Sequence, residues 1–92
     1  MSAAVDTAGR PRLTRHVRPS YDRVRERQVL LGPESVTVLN ATGAAILELC
    51  DGRTVGEIAA ELGERYGRAV DDDVREFLAR LVARGYLEFA DV

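Results

Sequence analysis

The chain has 92 residues, 13 basic and 15 acidic, and every basic residue is Arg. This length holds one domain, and a composition 46% hydrophobic and 30% charged is that of a folding globular protein. The lack of Lys excludes Schiff-base and P-loop lysine chemistry, and one Cys with one His supplies neither an intrachain disulfide nor a closed zinc site.

No apolar run approaches the roughly 18 residues of a membrane span, and no apolar signal segment follows Met1. A cytosolic protein is expected. Charge is uneven along the chain. Residues 1–28 carry seven Arg against three acids, and residues 29–92 carry six Arg against twelve acids. This reads as a basic arm on an acidic body. Residues 1–14 are small and polar with no apolar period, which predicts a flexible tail ahead of a single domain over residues 15–92.

In chain order, Val17 to Val24 reads as a first strand, with Pro19 making it an edge or a bulged strand. Arg25-Glu26-Arg27 reads as a turn and Val29-Leu30-Leu31 as a second strand. Gly32-Pro33-Glu34 is a turn signal. Ser35 to Leu39 alternates and is β-branched, the strongest strand signal in the chain. From Asn40 the period becomes 3.6. Asn40 is a good N-cap, Ala45, Ile46, Leu49 and Cys50 form one face, and Gly52 is the expected stop. Gly43 weakens this helix, and close packing against the sheet would explain it. Thr54-Val55-Gly56-Glu57 fits a capping box, followed by Val55, Ile58, Ala59, Leu62 and Tyr66 at helical spacing. A third helix starts at Asp71-Asp72-Asp73, where carboxylates suit the helix dipole, and ends at Gly85. Its stripe is Val74, Phe77, Leu78, Leu81 and Val82. Tyr86 to Phe89 alternates as a short closing strand. The order predicts an α+β, winged helix-turn-helix-like fold, an N-terminal three-stranded antiparallel sheet followed by three helices.

No catalytic constellation is present. No Ser has a nucleophile-elbow setting, no Gly-rich phosphate loop occurs, and no cofactor or metal is expected. Cys50 reads as a small buried hydrophobe and His16 as a solvated strand-edge residue. The would-be recognition helix, residues 71–84, has four acids against three Arg and begins with three aspartates. Phosphate contacts need the opposite charge, so nucleic-acid binding is a secondary reading, beside that of a dimerisation module.

The favoured reading is a peptide-binding module. If Ser35, Val36, Thr37, Val38 and Leu39 form an edge strand, its open backbone groups can take an extended peptide as an added strand. The third helix can wall that groove. Phe77 fits either core or groove, Leu81 fits the core better, and Arg80 or Arg84 could meet a ligand carboxylate.

The residues Arg18, Tyr21-Asp22, Val29 to Glu34, Leu39-Asn40, Ile46 to Val55, Ile58, Leu62, Asp73-Val74, Phe77-Leu78, Leu81 and Gly85-Tyr86-Leu87 together resemble the PqqD family of coenzyme PQQ (pyrroloquinoline quinone) synthesis. The resemblance spans about residues 16–89. It implies a small, winged-helix-like bacterial cytoplasmic protein, not an enzyme. Such a protein binds the ribosomally made precursor peptide PqqA and presents it to the radical S-adenosylmethionine enzyme PqqE, with no nucleic-acid or membrane partner. It also implies docking of the leader beside Ser35–Leu39 and against the stripe of Val74, Phe77, Leu78 and Leu81. Gly32 stands where a larger residue is expected. Exchange of the arm or a strand between two copies is a conceivable route to a homodimer.

Overall fold

The computed structural model describes residues 5–90. The elements in chain order are β1 (Arg10–Leu13), β2 (Arg18–Asp22), β3 (Arg27–Gly32), β4 (Ser35–Val38), α1 (Ala41–Glu48), α2 (Val55–Tyr66), α3 (Asp71–Ala83) and β5 (Leu87–Ala90). The α+β class expected from the sequence holds. The three-stranded antiparallel sheet has the order β2-β3-β4, with Pro19 opposite Leu30 and Thr37 opposite Leu30 on the other side. β2 is an edge strand, as its proline requires.

Two turns set this register. Asp22 Oδ1 accepts the backbone N–H groups of Val24 (2.9 Å) and Arg25 (3.2 Å), an Asx turn that folds the β2–β3 connection. The Arg25 backbone N–H, and then its guanidinium at 2.8 Å, hold the Asp22 carboxyl below the usual range. Pro33 and Glu34 make the β3–β4 turn, with Glu34 at φ +60°.

The segment ahead of β2 departs from expectation. Residues 1–4 of the anticipated tail lie outside the described residues. Arg10–Leu13 forms β1, paired antiparallel with β5 as a separate two-stranded sheet. Its four residues have no local strand signal, and its partner is some 80 positions away, so only the closed fold creates it. The preceding residues also serve a helix end. The carbonyls of Gly9 and Thr7 accept the N–H groups of Val55 and Gly56, each at 2.9 Å, which satisfies α2 donors that have no intrahelical partner. Arg10 lies 3.8 Å from Glu57, and Arg12 bonds Glu88 at 2.7 Å. Part of the basic arm thus folds back onto the acidic body.

The helices follow their caps. Asn40 Oδ1 accepts from Gly43 N at 2.7 Å to start α1. α1 ends at Glu48, earlier than expected. Cys50 therefore falls in the turn beyond it, and Gly52, at φ +110°, serves the connection and not the helix end. At α2 the capping box is reciprocal: Glu57 N donates to Thr54 Oγ1 (3.1 Å) and Thr54 N to Glu57 Oε1 (2.8 Å). Tyr66, in its last turn, is exposed and not part of the core stripe. α3 begins at Asp71 behind Val70, with no side-chain cap, and its first turn holds all three aspartates. The core joins Leu30 from the sheet, Ile46 from α1, Ile58 and Leu62 from α2, and Val74 and Leu78 from α3, all essentially inaccessible to water. Among the described residues no helix is long and apolar enough to cross a membrane.

Candidate functional site

β4 pairs with β3 on one side, and its other edge takes no strand among the described residues. Leu39 N donates to Gln28 O at 2.9 Å. Antiparallel alternation then turns the backbone of Thr37 toward β3 and leaves the N–H and C=O of Val36 and Val38 on the open edge. β2 is the opposite edge, but Pro19 there has no N–H to give. The two edges are therefore not equivalent.

The open edge of β4 faces α3 across a groove of about 450 Å³. Thr37, Val38, Leu39 and Asn40 form one wall, and Phe77, Arg80, Leu81 and Arg84 the other. At one end the Phe77 ring packs beside Gly43 and Asn40. The bare Cα of Gly43 makes room for that ring, so its close neighbour is α3 and not the sheet. At the other end a polar cluster closes the groove. Ser35 Oγ and Tyr86 Oη share a 2.8 Å hydrogen bond, and the Arg84 guanidinium stacks 5.8 Å from the Tyr86 ring centroid. Arg84 Nη1 also donates to Thr37 Oγ1 at 3.4 Å. The hydroxyl of Ser35, foremost, keeps the Tyr86 phenol below its usual range. Gly32 fits this end: a Cβ there would lie 2.8 Å from Ser35 Oγ and 3.4 Å from Tyr86 Cε1.

The sequence-derived residues divide. Thr37, Val38, Leu39, Phe77, Leu81 and Arg84 line the groove. Phe77 is half-buried, while Leu81 is 4% exposed and belongs to the core as well. Val74 and Leu78 do not line it. Both are fully buried in the core, because i, i+4 spacing puts them on the face of α3 turned toward α2. Ser35 is turned to Tyr86, and Val36 is exposed at 53%, so for these two it is the strand position and not a groove-lining side chain that bears on the site. Asn40 and Tyr86 were missed. Asn40 reads as a helix cap, and nothing in sequence links Tyr86 to a residue 51 positions away.

Among the described residues no acid lines the groove. Six Arg lie within ion-pair distance of carboxylates: Arg10, Arg12, Arg25, Arg53, Arg65 and Arg68. Arg80 and Arg84 have no such partner among the described residues. The Cys50 thiol is pushed up to about 12 by burial, with the Asp51 charge adding to it. It is held as a neutral thiol donating to Ile46 O at 3.4 Å, which makes it a packing group and not a nucleophile.

Residues 27–87 match the family "Coenzyme PQQ synthesis protein D (PqqD)". A relative named PqqA binding protein, from Bradyrhizobium diazoefficiens, is 36% identical over 91% of this chain and 85% of its own length. A PqqA binding protein of Klebsiella pneumoniae is 51% identical over 70% of this chain and 73% of its own length. The fold matches a solution NMR structure of the PqqD truncation of Methylobacterium extorquens PqqCD, described as a functional and stand-alone recognition element for ribosomally synthesized and post-translationally modified peptides. That match has a TM-score of 0.73 and 41% identity, and covers 85% of this chain and 87% of the other. The element order, the groove and these relationships lead to one conclusion: the chain belongs to the PqqD family of coenzyme PQQ synthesis proteins.

Proposed function

We propose that this protein binds the precursor peptide PqqA as a strand added to β4, and presents it to the radical S-adenosylmethionine enzyme PqqE without a chemical step of its own. The observation that carries this reading is the open edge of β4, with the backbone of Val36 and Val38 unpaired among the described residues and a half-buried Phe77 opposite. The names of the PqqA-binding relatives support the choice of ligand. Main-chain bonding gives affinity with little sequence preference, and side-chain pockets supply specificity.

Magnitudes assign the roles. Four backbone hydrogen bonds from Val36 and Val38 contribute roughly 2–6 kcal/mol. A micromolar complex needs about 8 kcal/mol, and ordering the peptide opposes binding. The remainder must come from side chains. An apolar ligand residue buried against Phe77 and Leu81 adds about 1.5–3 kcal/mol.

The test is titration of isotopically labelled protein with synthetic PqqA, followed by NMR of the backbone amides. Shifts centred on Val36, Val38, Phe77 and Leu81 are expected. If these amides stay unmoved at micromolar concentrations while sedimentation shows a monomer, the reading fails.

A further inference from the structure

We infer that Arg80 and Arg84 read a carboxylate side chain on the docked peptide, at a fixed spacing from the apolar residue that packs on Phe77. This deepens the proposed function and rests on strand addition at β4. Three observations carry it. The two guanidinium-bearing residues are one turn apart on the same groove wall, and among the described residues no acid lines the groove and neither has a carboxylate partner. Arg84 instead rests on the face of Tyr86 and on a long 3.4 Å bond to the Thr37 hydroxyl. These are weak neutral contacts that a carboxylate readily replaces. A cation at the end of α3 also suits the helix dipole, but that would be met equally with either side chain turned away from the groove.

The geometry fixes a spacing. Along α3 the rise from Phe77 is about 4.5 Å to Arg80 and about 10.5 Å to Arg84. In an added strand, side chains facing α3 recur every second residue, about 6.7 Å apart. A residue two positions from the apolar anchor falls between the two arginines, and a residue four positions away falls near Arg84. Residues one or three positions away point to the other face. The order along the peptide follows as well. Phe77 lies at the Asn40 end of β4, and Arg84 lies at Thr37. In antiparallel pairing, the arrangement of every strand pair among the described residues, the apolar residue comes first. The recognised pattern is apolar-x-acidic, or apolar-x-x-x-acidic, read from N to C.

The test uses synthetic PqqA with an amidated C-terminus, so that side chains supply the carboxylates. Each Asp or Glu is replaced in turn by Asn or Gln, and affinity is measured by calorimetry. One replacement, two or four positions after an apolar residue, should weaken binding about five- to tenfold. That loss should vanish against the Arg80→Gln, Arg84→Gln double variant, whose side-chain stems still cover the groove. A Lys at the same peptide position should bind an Arg80→Glu, Arg84→Glu variant more tightly than it binds the parent protein. The inference is overturned if no replacement weakens binding beyond about twofold, or if the loss persists undiminished in the double variant. If in either case the Val36 and Val38 amides still shift with every peptide, strand addition stands and the charge reading alone falls. If they do not shift even with unsubstituted PqqA, both fall.

Discussion

The ring of Phe77 occupies the space that a side chain on Gly43 would need. A Cβ at Gly43 would lie 2.8 Å from Phe77 Cε1 and 3.2 Å from the capping oxygen of Asn40. Gly43→Ala therefore sets two effects against each other. Helix propensity favours Ala by about 1 kcal/mol, and overpacking opposes it by about 1–3 kcal/mol. A net loss of about 1 kcal/mol in urea unfolding is expected, together with weaker PqqA binding, because the ring must swing into the groove. A variant more stable than the parent, with unchanged affinity, would contradict the packing.

Phe77 and Leu81 should separate binding from stability. Phe77→Ala removes a half-buried wall and should weaken peptide affinity by tenfold or more, as expected of an aromatic hot spot, while lowering stability by about 2 kcal/mol. Leu81→Ala hollows the core, at about 2–5 kcal/mol, so most of its effect should appear in the unfolding curve. Equal profiles for the two variants would show that neither is specific to the groove.

The Ser35–Tyr86 bond ties β4 to the turn after α3. Tyr86→Phe should lower the unfolding midpoint, because the bond to Ser35 is lost. Ser35→Ala should move the Tyr86 phenol titration upward, because the hydroxyl that stabilises the phenolate is gone. Alkaline absorbance titration of parent and variant measures this. An unchanged curve would mean that the 2.8 Å contact does not persist in solution.

The capping box of α2 predicts an acid-side pH dependence. The Thr54 backbone N–H, and then its hydroxyl, hold the Glu57 carboxyl below its ordinary range, with Arg10 also favouring the charge. A depressed folded-state pKa stabilises the fold above the unfolded glutamate value, and the contribution is lost as pH falls through the folded value. Glu57→Gln should flatten the loss of stability across that acid window, and Thr54→Ala should cost about 1 kcal/mol at neutral pH. Unfolding midpoints measured from neutral to acid pH check both.

Cys50 should be inert in the folded protein. Burial pushes its thiol up to about 12, and it contacts the core cluster. A thiol-specific chromogenic reagent at mildly alkaline pH should react with one thiol in denaturant and with almost none in the native state. Fast native labelling would mean that the turn after α1 opens readily.

Much of the fold was legible because its signals are local. The strand alternation of Ser35 to Leu39, the Asn40 cap, the Thr54–Glu57 box and the i, i+4 stripes of α2 and α3 each lie within a few residues. The same local rules left helix ends and helix faces less certain. Gly52 reads as a helix stop but serves the following turn, and the wheel of α3 shows an apolar stripe without saying which part of it meets α2 and which the groove. The amino-acid sequence alone determined the order of elements from β2 to β5 and the basic and acidic division, and it singled out Ser35 to Leu39 as the strand at which peptide addition is proposed. Only the tertiary structure decided that Arg10–Leu13 is a strand, that Val74 and Leu78 are core while Phe77 and Arg84 face the groove, and that Ser35 meets Tyr86. Backbone propensity and periodicity act over a handful of neighbouring residues, whereas these pairings exist only once segments tens of positions apart have been packed together.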